Sequence, residues 1–101
     1  MTDAAPFACS LGTEDLVRRQ VEDRALAARL TSHRWEGRRK VVLAFPAHAA
    51  RLVDRFVAEE SACCPFFGFC TEDNGDEVRL QVVVPEGGEP MLHDLVTWFV
   101  E

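Results

Sequence analysis

No stretch of this 101-residue sequence approaches the ~20 consecutive apolar residues that a membrane-spanning helix requires. The opening, MTDAAPFACSLG, has neither a basic n-region nor an apolar run of signal-peptide length. Basic residues are in deficit: 11 Lys and Arg stand against 17 Asp and Glu, a formal net charge of -6. Binding along a phosphate backbone leans on Lys and Arg, so nucleic acid is not an expected partner. The two basic clusters, Arg18-Arg19 and Arg38-Arg39-Lys40, are short, lie beside acidic residues and read as solvated faces. Low-complexity segments are missing, and so are G-x-S-x-G, H-E-x-x-H, a phosphate-binding glycine loop and a Ser-His-Asp order. These absences lead to an expectation of a cytoplasmic chain with no membrane partner and no indicated enzymatic chemistry.

What is present suits one domain over 1–101, with 1–12 as a lead-in coil. Apolar residues make up 48% of the chain, enough for a modest core. Thr13 is a plausible N-cap with Glu14 and Asp15 behind it, and a first helix is expected over 14–30 with Leu16, Val17, Val21, Ala28 and Leu30 as its apolar stripe. Val41 to Phe45 reads as a mostly buried strand, preceded by a turn at Gly37 and a short arm containing Trp35. Pro46 ends that strand. A second helix follows over 47–62, with Ala49, Leu52, Val53, Phe56 and Val57 at spacings of three and four and an Arg55–Glu59 pair on its other face. Phe66 to Thr71 reads as a strand, and Asn74-Gly75 as a hairpin turn. Val78, Leu80, Val82 and Val84 alternate with polar residues on the return strand. Pro90 opens a last helix with Leu92, Leu95, Val96 and Phe99 on one face. The order is α-β-α-β-β-α, or α-ββ-α-ββ-α with Trp35 on a strand. Either way the fold class is α+β: a small sandwich of a three- to four-stranded, mainly antiparallel sheet with helices on one face. Its sheet edges make a homodimer a reasonable expectation.

The most unusual stretch is EESACCPFFGFC, residues 59–70. Four cysteines in a reducing compartment point to metal ligands, redox groups or core filler before a disulfide framework. Glu60 precedes Cys63 by three residues and Cys64 by four, so it shares their helical face. It is either wetted at the domain edge or a buried carboxylate beside two thiols. Pro65 drives Cys64 out of the α region, so the helix should end near Cys63. The negative pole of a helix C-terminus disfavours thiolate, as do Glu59 and Glu60, unless a distant Arg or His folds over the pair. A soft cation would supply the positive charge itself. Cys9, in FACSL, is the best third ligand. Cys70, on a strand face with Phe66 and Gly68, is an accessory candidate but is expected to be a small buried hydrophobe. His33, His48 and His93 lack ligand spacing and read as surface residues.

FACSL, EESACCPFFGF and the closing VVVPEG…ML..L together resemble a family of small bacterial proteins with an A-C-T-L-like start and an E-x-x-C-C-P-F core, often associated with mercury or other heavy-metal response genes. The resemblance spans most of the chain, its distinctive positions being Cys9, Glu60, Cys63, Cys64, Pro65 and Phe66. It implies thiol chemistry with soft metals, and a ligand set of Cys9, Cys63 and Cys64, because family members more usually carry another residue at position 70. Three thiolates suit a soft metal or metalloid ion such as Hg(II), Cu(I) or As(III) better than structural zinc, which takes four protein ligands. The expected function is binding of such an ion as sensor, buffer or chaperone. The alternatives are a redox-responsive thiol protein, with Cys9 bridging to Cys63 or Cys64, and a structural or oligomerisation domain with core cysteines. A metal-thiolate enzyme using Glu60 for the proton is a further alternative that no residue demands.

Overall fold

The computed structural model describes residues 13–63 and 66–100. Helix α1 spans Thr13–Ala27, strand β1 Ser32–Trp35 and strand β2 Lys40–Pro46. A 3-10 turn over Ala47–Ala49 leads into helix α2, Ala50–Cys63, and strands β3, Gly68–Asp73, and β4, Glu77–Val83, precede helix α3, Glu89–Val100. The order is therefore α-ββ-α-ββ-α, and the short arm at Trp35 is a strand. All three neighbouring pairs in the sheet are antiparallel, in the order β1-β2-β4-β3. No helix among the described residues is long and apolar enough to cross a membrane.

The two hairpins form for local reasons. Gly37 and Gly75 both take positive φ, 87° and 92°, a conformation that glycine adopts without a Cβ penalty. Asn74 adds an Asx turn, its Oδ1 accepting hydrogen bonds from the backbone N–H groups of Asp76 and Glu77, both at 2.9 Å. Register then follows from burial. Val41 faces Val82, Leu43 faces Leu80 and Phe45 faces Val78, so the apolar residues of β2 and β4 share one face.

All three helices pack on that face. The core joins Leu26 of α1 with Val53 and Phe56 of α2, Leu92, Leu95, Val96 and Phe99 of α3, and the sheet residues just named. Phe99 meets Phe45 edge-on at 6.1 Å and Phe56 at 5.3 Å, and Phe56 meets Phe69 of β3 at 5.9 Å. These aromatic pairs tie α2 and α3 to each other and to the sheet.

Several expectations are corrected. The first helix stops at Ala27, and Val21, expected on its buried stripe, is 64% exposed. Among the described side chains of α1 the buried ones are Asp23 and Leu26, with Ala27 and Leu30 packed alongside; the expected stripe residues Leu16 and Val17 lie outside the described side chains. A carboxylate on the buried face disguises the stripe. Strand β3 begins at Gly68 rather than Phe66 because Phe66 and Phe67 form a turn after Pro65.

Candidate thiol site

Helix α2 is described to Cys63, where the Cys64-Pro65 dipeptide follows it in the sequence. Cys9, Cys64 and Pro65, and with them the expected gathering of Cys9 with the cysteine pair, lie outside the described residues, as does the side chain of Cys63. The surroundings of α2's end are described and are informative.

Glu60 occupies the last turn of α2 and is fully buried, at 0% exposure. The wetted alternative is thereby excluded. Asp23, on the inner side of α1, is also buried. Both carboxylates are held by polar or electrostatic interactions with their surroundings, as burial of such groups requires. Glu60 lies one turn before Cys63 on α2, whereas Asp23 follows Glu22 on α1 and is level with the Arg55 turn.

A chain of charges joins α1 to α2. Arg18 Nη1 lies 3.4 Å from Glu59 Oε2 and 3.2 Å from Glu22 Oε1, and Arg55 Nη1 lies 2.8 Å from Glu22 Oε2. Arg55 and Glu59, expected to pair within α2, each bind a partner on α1 instead. Their i,i+4 order is the less favourable one, so the cross-helix partners win.

These contacts also fix direction. Four residues forward on α1, from Arg18 to Glu22, correspond to four residues back on α2, from Glu59 to Arg55. The helices run antiparallel, and one further turn brings the start of α1 level with Cys63. The Arg18 guanidinium thus pairs with Glu59 one turn before Cys63.

Cys70 departs from expectation. Its neighbours across the sheet are Gln81, then Val42, then Arg34, a row on the face away from the helices. It is a free, exposed cysteine and not a buried hydrophobe. Phe69, one residue earlier, points to the helix side and packs on Phe56. Alternation along β3 therefore aims the Cys70 thiol away from α2. His33, His48 and His93 are all exposed.

No group of three or more His, Cys, Asp or Glu side chains able to hold a metal occurs among the described residues. Two clefts do occur there. One of about 500 Å³ separates the C-terminal ends of α1 and α3, lined by Arg24, Ala27, Ala28, Trp98, Phe99 and Val100. It lies at the opposite end of α1 from the turn that adjoins Cys63. Another, of about 410 Å³, lies between the β1–β2 turn and the start of α3, with Trp35, Arg38 and His93 in its wall. Neither is lined by a cysteine.

Sequence reasoning singled out Glu60 and missed Asp23, Arg18, Glu22 and Arg55 as neighbours of this site. The signal for Asp23 was its spacing of three from Leu26 and four from Ala27. Arg18 and Glu22 carried an i,i+4 signal that was not read.

No family model, curated protein or solved structure matches the chain.

Proposed function

We propose that the protein binds a soft metal or metalloid ion of the Hg(II), Cu(I) or As(III) class through the thiolates of Cys9, Cys63 and Cys64, as a cytoplasmic sensor, buffer or chaperone. What supports this reading is the antiparallel packing of α1 on α2, which sets Arg18 against Glu59 one turn before Cys63. Cys9 precedes Thr13 by four residues, so chain length alone holds it within about 14 Å of the first turn of α1. Packed helices lie roughly 8–10 Å apart, which leaves Cys9 within reach of Cys63. The donor chemistry fits: thiolates select soft ions. Cys70 stands outside the set because its side chain lies on the other face of the sheet. A reducing compartment keeps these thiols available. The reading requires neither a nucleic-acid partner nor a membrane.

The test is anaerobic titration of the full chain with Hg(II), Cu(I) or arsenite in a Cys70→Ser background, which removes the exposed competing thiol. Cys63→Ser and Cys64→Ser should each weaken binding by orders of magnitude, and Cys9→Ser should do so for an ion that takes three thiolates. Variants of the pair that bind as tightly as the parent would refute the proposal.

A further inference from the structure

We infer that the cleft between the β1–β2 turn and the start of α3 binds a planar aromatic carboxylate, with Trp35, Pro90 and His93 holding its rings and Arg38 its charge. The inference is independent of the thiol reading, since no cysteine lines this cleft. Trp35 is paired with Val41, a core residue, so its indole belongs to the helix side of the sheet. The helices leave that side of β1 open: all four residues of the strand are exposed, and Trp35 is 38% exposed. The largest side chain of the strand therefore borders a cavity of about 410 Å³, a size that takes a small organic molecule. Pro90 and His93 form the α3 part of the wall, three residues apart and so on one side of that helix. Gly37 keeps the turn side clear, because nothing lies within 4 Å of where a Cβ would stand.

The charges around the cleft select the sign of the ligand. Glu36 is taken up by Arg34 at 2.6 Å and Lys40 at 3.2 Å. Glu89, in the cleft wall, accepts a hydrogen bond from the Gly87 backbone N–H at 2.8 Å and so is turned into the first turn of α3. Its own backbone N–H and that of Gly87 hold it ionised, with Arg39 and Arg38 adding to the effect from nearby. Both carboxylates are thus engaged, and Arg38 makes no ion pair among the described residues. An uncommitted guanidinium at the rim of an apolar cleft favours an anion, and its planar fork matches a carboxylate through two parallel N–H···O bonds. The indole, the imidazole and the proline ring favour a flat aromatic body beside that carboxylate.

The test is an NMR titration of the full chain, labelled with nitrogen-15 in its tryptophan indoles, using 2-naphthoate as the probe. The two indole N–H signals belong to Trp35 and Trp98 and are told apart with Trp35→Phe. The Trp35 signal should shift and saturate with a Kd below about 1 mM. 2-Naphthylmethylamine keeps the rings and inverts the charge, and cyclohexanecarboxylate keeps the charge without the rings; each should bind at least about fivefold more weakly. Arg38→Glu, at an exposed position, should weaken 2-naphthoate by about tenfold and raise the affinity for the amine, whereas Arg38→Gln should weaken 2-naphthoate alone. Circular dichroism checks that both variants keep the parent's helix content. A Trp35 signal that does not saturate, a shift confined to Trp98, equal binding of the three compounds by the parent, or an Arg38→Glu chain that keeps the parent's preference would each overturn the inference.

Discussion

Phe56→Ala offers a stringent test of how α2 is anchored. Phe56 is 1% exposed and lies one turn before Glu60 on the inner face of α2. Its ring meets Phe69 at 5.9 Å and 82°, and Phe99 at 5.3 Å and 73°, so truncation removes two edge-to-face contacts and opens a cavity between helix and sheet. Phe→Ala changes in a core cost about 3–5 kcal/mol, and each aromatic pair is worth about 0.5–1.5 kcal/mol beyond buried area, which places this site in the upper part of that range, near 4–5 kcal/mol. At a urea slope of about 2 kcal/mol/M the unfolding midpoint should fall by about 2 M. Val83→Ala, at a 41% exposed position on the far side of the sheet, is the internal control and should change stability by less than about 0.5 kcal/mol. The assay is urea denaturation followed by far-UV circular dichroism, with the slope compared between variants. A loss under about 1.5 kcal/mol for Phe56→Ala, at unchanged slope, would refute the view that these rings hold α2 in place.

Three further outcomes are expected. Gly88→Ala should destabilise the fold by about 1–3 kcal/mol, because an added Cβ would sit 2.8 Å from Val84 Cβ and 3.2 Å from the Pro85 carbonyl oxygen; a neutral change in thermal unfolding would count against the tight corner before α3. Cys70 should react with iodoacetamide in the native protein at nearly its unfolded rate, since it is exposed; protection detected by peptide mass spectrometry would contradict its placement on the open face. Glu36 is held below the ordinary carboxylate range by hydrogen bonds from Arg34 and Lys40, and Glu89 by its own backbone N–H and that of Gly87. Groups with depressed folded-state values contribute stability above their unfolded pKa and lose it as pH falls through the folded one, so acid should remove this contribution, and Glu36→Gln with Glu89→Gln should flatten the acid limb of a stability–pH curve. An unchanged limb in the double variant would count against both assignments.

The parts of the fold that were legible in the sequence are those where one physical signal dominates. Alternation of Val78, Leu80 and Val82 predicts one buried face of β4, and all three side chains lie in the core. Leu92, Leu95, Val96 and Phe99 recur at helical spacing and are the buried residues of α3. The reading failed where two signals compete. On α1 the described inward face carries Asp23 beside Leu26 while Val21 is exposed, so hydropathy misplaces these two residues round the helix. At Cys70 the apolar neighbourhood suggests burial, but strand alternation places it on the outer face, and on an edge strand alternation decides. At the candidate site, Pro65 leads to an expected helix end near Cys63, and α2 is described as far as that residue. The cation that pairs with Glu59 comes from α1, and a partnership between residues forty-one apart in the chain leaves no local trace.

The place of β4 between β2 and β3 has a consequence for biosynthesis. As the chain leaves the ribosome, α1, β1, β2 and α2 are complete well before residue 83 emerges. Until then the VVLAF segment of β2 has only β1 on one side, and its other rim of amide and carbonyl groups is open. An apolar strand with an open rim is a template for pairing with a neighbouring nascent chain. The sheet becomes continuous only when the second hairpin docks as a unit, with its later strand innermost. A chain ended after Asp76 keeps its middle helix and loses the strand that joins the two halves. It should accumulate as aggregate rather than as a smaller folded protein.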